Sequence, residues 1–128
     1  MKLLLDTHVL LWWHGEPSRL SENANNAISD LDNEIFLSVV TGWELQIKAQ
    51  LGKLTLSKPL NEILDQELST NDFRLLPVAM AHVLALDLFP LHHRDPFDRL
   101  LVAQAHQEEM TLVTHDPKLS AYSVPLLW

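Results

Sequence analysis

The opening stretch MKLLLDTHVLLWW (residues 1–13) contains the segment that decides the fold. Residues 2–6, KLLLD, are an apolar run too brief for a stable helix and end in a polar turn, which predicts a buried strand with Asp6 at its carboxyl end. Asp6, Thr7 and His8 split the apolar residues, and no small-residue cleavage site follows, so neither a signal peptide nor a membrane span is expected. Residues 8–14 read as a helix with Thr7 as its candidate N-cap.

The same alternation continues along the chain. SENANNAISDL (21–31) reads as a helix capped by Ser21, and EIFLSV (34–39) as a second strand. TGWELQIKAQLGKL (41–54) places Trp43, Ile47 and Leu51 at four-residue spacing, one face of a predicted helix. Lys58 and Pro59 restart the chain into the amphipathic LNEILDQEL (60–68), followed by a third strand in FRLLPV (73–78). A helix over 79–88 precedes Pro90, and another runs from Pro96 to about Glu109. TLVT (111–114) is a fourth strand, DPKLSAY (116–122) a short helix, and VPLL (124–127) a closing strand. Apolar strands alternating with helices predict an α/β fold with a mostly parallel sheet covered on both faces, in a single domain over residues 1–128. In such sheets the functional crevice lies beyond the carboxyl ends of the strands.

Composition narrows the function classes. Apolar residues make up 47% of the chain and charged residues 20%, the balance of a globular protein. Cysteine is absent, which excludes disulfides and thiolate metal sites. The formal charge of −8, from 9 Lys plus Arg against 17 Asp plus Glu, is the reverse of what passive phosphate binding requires. A polyanionic substrate would therefore need a divalent cation held by carboxylates to invert the local field.

Asp6, Glu44, Asp98 and Asp116 are the acids expected at that crevice: Asp6 and Asp116 follow strands, while Glu44 and Asp98 fall in the first turns of helices. Each but Asp6 has a capping alternative. Thr41 and Glu44 spell a capping box, DPFD sets Asp95 at N-cap with Asp98 at N3, and DPK repeats the pattern at Asp116. Asp6 has no such explanation unless the first helix starts one residue early, and a buried carboxylate is costly unless paired or metal-bound. Seven histidines raise the question of zinc, and Asp6-Thr7-His8 has the D-x-H opening of a metallophosphoesterase. The glycine-flanked motifs that complete that pattern are absent, as are H-x-H and H-E-x-x-H, so His14, His82 and His106 are assigned to the surface or to satisfied helix positions. His92, His93, Arg94 and Arg99 are candidates for touching phosphate, with solvated loop residues and surface ion pairs as the alternatives.

LLLDTH, SVVTGWEL, DRLLVAQA and LVTHD, in this order and spacing, closely resemble the PIN-domain family, in particular the VapC-type toxins of type II toxin-antitoxin systems. The resemblance spans essentially the whole chain. It implies a three-layer α/β/α fold and a metal-dependent endoribonuclease in which Asp6, Glu44, Asp98 and Asp116 hold Mg²⁺ or Mn²⁺. Thr7 and Thr114 match accessory hydroxyls, and Asp95 is an additional acid on the face of Asp98 that competes for the role of third ligand. Hydrolysis by a metal-activated water, leaving a 5′-phosphate, is the implied reaction. A cytoplasmic location, an RNA substrate, a cognate antitoxin and a homodimer are implied as well. Trp12, Trp13 and the apolar face of residues 60–68 are candidate antitoxin anchors, with core packing as the alternative for each and the favoured one for Trp13; the apolar residues near Leu84, Leu86, Leu88 and Phe89 are the candidate dimer surface. Two other readings stand beside this one: a PIN-like module that grips RNA or a partner without cutting, and a phosphoryl-transfer domain with Asp6 as nucleophile.

Overall fold

The computed structural model describes residues 1–91 and 95–128. Its sheet consists of β1 (Lys2–Leu5), β2 (Glu34–Ser38), β3 (Arg74–Leu76), β4 (Thr111–Val113) and β5 (Leu126–Leu127), all parallel, in the order β3-β2-β1-β4-β5. The α-helices are α1 (Thr7–Gly15), α2 (Glu22–Ser29), α3 (Val39–Gln50), α4 (Leu60–Thr70), α5 (Met80–Leu84) and α6 (Pro96–Gln107). The mostly parallel sheet expected from the sequence is wholly parallel. Residues 85–88 of the expected long helix, and the segment after Asp116, wind instead as 3₁₀ turns.

Side-chain alternation along β1 splits the core in two. Leu3 and Leu5 pack with Val9, Leu10, Ile28 and Leu45 on one face, whereas Leu4 packs with Leu101, Val102, Leu112 and Leu119 on the other. Both layers exclude water, which accounts for the unbroken apolar strands. The apolar face of α4 is already used: Ile63 is buried, and Leu60, Leu64 and Leu68 pack against the first cluster. Core packing, the alternative to an antitoxin anchor, accounts for much of that face. Trp13 packs there too, as assigned, with its indole N–H donated to buried Glu67 at 3.0 Å.

Two helix starts differ from their expected form. α1 begins at Thr7, so Asp6 rather than Thr7 occupies the N-cap position, yet the Asp6 side chain makes no capping bond. α3 begins at Val39 and is capped by Ser38, whose hydroxyl accepts from the Val40 N–H at 2.9 Å. Thr41 and Glu44 thus lie inside the helix, and the capping box does not form. The inward face of α3 is Val40, Thr41, Glu44 and Leu45, while Trp43 and Leu51 are exposed. The four-residue apolar spacing does not mark the buried stripe, because the buried face of α3 contains two polar side chains.

A polar seam crosses the second core cluster. Ser38 donates to Gln104 Oε1 at 2.5 Å, and the Gln104 amide donates to the Pro77 carbonyl at 3.3 Å. Buried His82 accepts from the Ala79 N–H at Nδ1, which leaves Nε2 to face Glu108 at 3.0 Å. His82 is thus the satisfied helix residue expected. Gln104→Leu should cost about 1–3 kcal/mol in urea unfolding, since the buried Ser38 hydroxyl would lose its partner.

Candidate active site

The sheet order places a topological switch between β1 and β4, whose outgoing connections run in opposite directions and leave a crevice at their carboxyl ends. Asp6 leaves β1 there, and Thr114 leaves β4. The Thr114 hydroxyl donates to Asp6 Oδ2 at 2.7 Å and accepts from the Asp116 N–H at 3.1 Å, tying the two strand ends together. Asp6 is only 5% exposed. Burial pushes its carboxyl above the usual carboxylate range; the Thr114 bond, the nearby His8 and the Thr7 N–H act in the opposite sense without overcoming it, and Glu44 adds to the rise.

Asp6, Glu44, Asp98 and Asp116 line one cleft of about 360 Å³, together with Asp95. Four separate stretches of chain meet here. Asp95 caps α6 as expected, its carboxylate accepting from the Phe97 and Asp98 N–H groups at 2.9 and 3.3 Å. Asp98 sits one turn further, at the third helical position. Asp116 does both jobs at once, lining the cleft while accepting from the Lys118 N–H at 2.9 Å. Glu44 lies in the second turn of α3 rather than the first, and is 2% exposed. Thr7 donates to Glu44 Oε1 at 2.7 Å, and Lys48, one turn further along α3, pairs with Oε2. The accessory threonines thus each hold one acid.

Among the described residues no three acid or histidine side chains already stand as a closed metal-holding group. The donor chemistry nonetheless suits a hard divalent ion. All the acids offer oxygen, Asp6 is held against its own desolvation, and the field of the cluster is strong enough to act on Lys48. Burial opposes the Lys48 charge, but the hydrogen bond to Glu44 and the fields of Glu44, Asp95 and Asp98 outweigh it and raise its pKa.

The wall that completes the cleft was not foreseen. His8, Trp12, Arg19 and His115 line it, with the Arg19 guanidinium 4.7 Å from the Trp12 ring centroid. Trp12 also meets Trp128 and His115 edge-on, at 5.8 and 5.9 Å. Lys48 was missed too, although its place four residues after Glu44 was visible as a helical i, i+4 pair. Arg99, considered for phosphate or a surface ion pair, donates to the Leu86 and Phe89 carbonyls at 3.4 and 3.1 Å and does not line the cleft. His92, His93 and Arg94 lie outside the described residues.

A doubly wound parallel sheet with acids gathered at its switch point is the arrangement of a PIN domain. Residues 3–125 match the PIN-domain family model, and the chain belongs to that family. Within it, the chain is 34% identical over 125 residues, covering 96% of its own length and 93% of the relative, to Ribonuclease VapC22 of Mycobacterium tuberculosis (strain ATCC 25618 / H37Rv). Its fold is shared with a protein in the structure of VapBC2 from Rickettsia felis bound to a promoter DNA fragment, with TM-score 0.75, 19% identity and coverage of 98% and 97% of the two chains. FitAcB from Neisseria gonorrhoeae shares it at TM-score 0.65 and 23% identity, covering 97% and 95%.

The Asp6 environment has a measurable consequence in metal-free protein. Because the folded state holds the Asp6 proton more tightly than the unfolded chain, its contribution to stability is fully present below the ordinary value of 3.8 and is lost as pH rises through the folded value. Asp6→Asn mimics the protonated form. In chelator-treated protein it should raise the unfolding temperature at pH 7, with the gain shrinking as the pH is lowered towards 3.

Proposed function

We propose that this chain is an endoribonuclease toxin of the VapC kind, which hydrolyses RNA phosphodiester bonds at the acid cleft. The observation that carries the reading is the convergence of Asp6, Glu44, Asp98 and Asp116 from four separate segments on one cleft, in a chain 34% identical to a named ribonuclease. Asp6, Asp98 and Asp116 would hold one or two Mg²⁺ or Mn²⁺ ions, with Glu44 completing the set or orienting water. When bound, such an ion supplies charge to polarise the phosphate and to make a water nucleophilic at neutral pH.

The remaining roles belong to the chain. Thr114 fixes the orientation of the Asp6 carboxylate, and Thr7 that of Glu44. Asp95 holds the start of α6 so that Asp98 is presented to the cleft. In this assignment Asp98 is the third acid because it directly precedes the RLLVAQA segment, while Asp95 serves as the N-cap of α6.

A partner protein follows from the toxin reading. Relatives of this fold are seen in VapBC complexes, and an acidic cleft with Trp12 on its wall suits an antitoxin tail that brings a basic residue and an apolar anchor. A homodimer would use the exposed Met80, Leu84, Leu88 and Leu91, on and after α5; Phe89 is buried, and Leu86 is packed against the core. Action in the cytoplasm belongs to the same reading, and among the described residues no helix is long and apolar enough to cross a membrane.

Inducible expression in a bacterium with mapping of new RNA ends tests the activity directly. Asp98→Asn should abolish the new ends, at least 100-fold by this count, while Asp95→Asn stays within a few-fold because Asn caps a helix nearly as well as Asp. Reversal of these two effects would exchange the two residues. Purified protein should lose cleavage on exhaustive chelation and regain it with Mn²⁺; undiminished cleavage would exclude metal dependence. Light scattering on the isolated chain should give twice its 14.6 kDa mass, and Leu84→Asp with Leu88→Asp should return it to the monomer value.

A further inference from the structure

Lys48 is the one cationic side chain that lies both in the acid cleft and in contact with one of its acids among the described residues. Its ammonium pairs with Glu44 Oε2 while Thr7 holds Oε1, so both oxygens of that carboxylate are engaged. Glu44 is buried, and its partner's side chain is 34% exposed. Removing Lys48 would leave an uncompensated carboxylate in a low-dielectric site, so the pair is the local solution to burying Glu44.

We propose that Lys48 is the cleft's internal counter-cation, which neutralises Glu44 until a divalent ion enters and then passes its ammonium to a phosphate oxygen of the bound RNA. This rests on the ribonuclease reading and names a substrate-binding residue within it. Three features support it. Lys48 is on the same helix face as Glu44, one turn away, so a flexible four-carbon stem can leave the carboxylate without moving the backbone. Its side chain is partly exposed and lines the cleft rather than being sealed in the core. A divalent ion shared by the acids removes the need for Lys48 at Glu44, and a cation released beside an anionic substrate is attracted to it. No bond is made or broken by Lys48 in this exchange; it remains an ammonium throughout.

The exchange makes two affinities move in opposite directions. Lys48 competes with a divalent ion for Glu44, so Lys48→Met should bind Mn²⁺ about tenfold more tightly by calorimetry on substrate-free protein. The same variant, at saturating Mn²⁺, should hold a fluorescein-labelled mixed-sequence RNA hexanucleotide about tenfold more weakly by anisotropy at 4 °C. Lys48→Arg keeps the charge and should stay nearer the starting protein in both measurements. A Lys48 that merely propped Glu44 in place would weaken both affinities when removed, and that result overturns the proposal. So does a Lys48→Met protein unchanged in either measurement. Should Lys48→Met unfold, as judged by its circular dichroism, Lys48→Gln takes its place with the same expectations. If the unsubstituted chain binds neither Mn²⁺ nor the hexanucleotide, the ribonuclease reading itself falls and takes this one with it. Opposed shifts in the variant are the result that supports the exchange.

Discussion

The hydrogen bond from Thr114 to Asp6 joins the carboxyl ends of two neighbouring strands at the point where the sheet reverses its winding. Everything in the cleft is arranged around that junction. Asp6 is buried between two packed layers, and its ionised form is disfavoured there. A single neutral hydroxyl does not remove the penalty, so Asp6 holds its proton more tightly than it would in the unfolded chain. A core that carries such a group gives up stability for chemistry, a trade common at functional sites.

The surrounding acids meet the same penalty by different means. Asp95 and Asp116 accept backbone N–H groups at helix starts, where the unsatisfied donors and the helix dipole favour a negative charge. Glu44 has no such terminus to use, since it lies a turn inside α3, and is stabilised instead by Thr7 and Lys48. Capping and cleft lining are therefore not alternatives. Asp116 does both, because the helix starts of this fold point to the same edge as the strand ends.

The opposite wall of the cleft has a different character. Trp12, with Arg19 against its ring and the His115 and Trp128 rings at its edges, sets aromatic and cationic surface beside the acids. Such surfaces suit both unpaired bases and the aromatic or basic residues of a protein tail.

The sequence by itself determined the parallel α/β class, the place of Asp6 after the first strand, the Asp95 cap and the order of the acid-bearing segments, since these follow from short-range hydrophobic runs and local capping chemistry. Tertiary structure decided the rest. Which stripe of α3 turns inward was set by the partners waiting for it: Thr7 lies 37 residues from Glu44 in the chain and donates to its carboxylate, and the four-residue spacing of Trp43, Ile47 and Leu51 contains no trace of that contact. The covering of α4 depended on whether another layer lay beneath it, which its own amphipathic pattern does not say. The bond from Thr114 to Asp6 spans 108 residues and exists only because β1 and β4 pair side by side. Periodicity reports which residues can share a face; only the packed fold decides what that face meets.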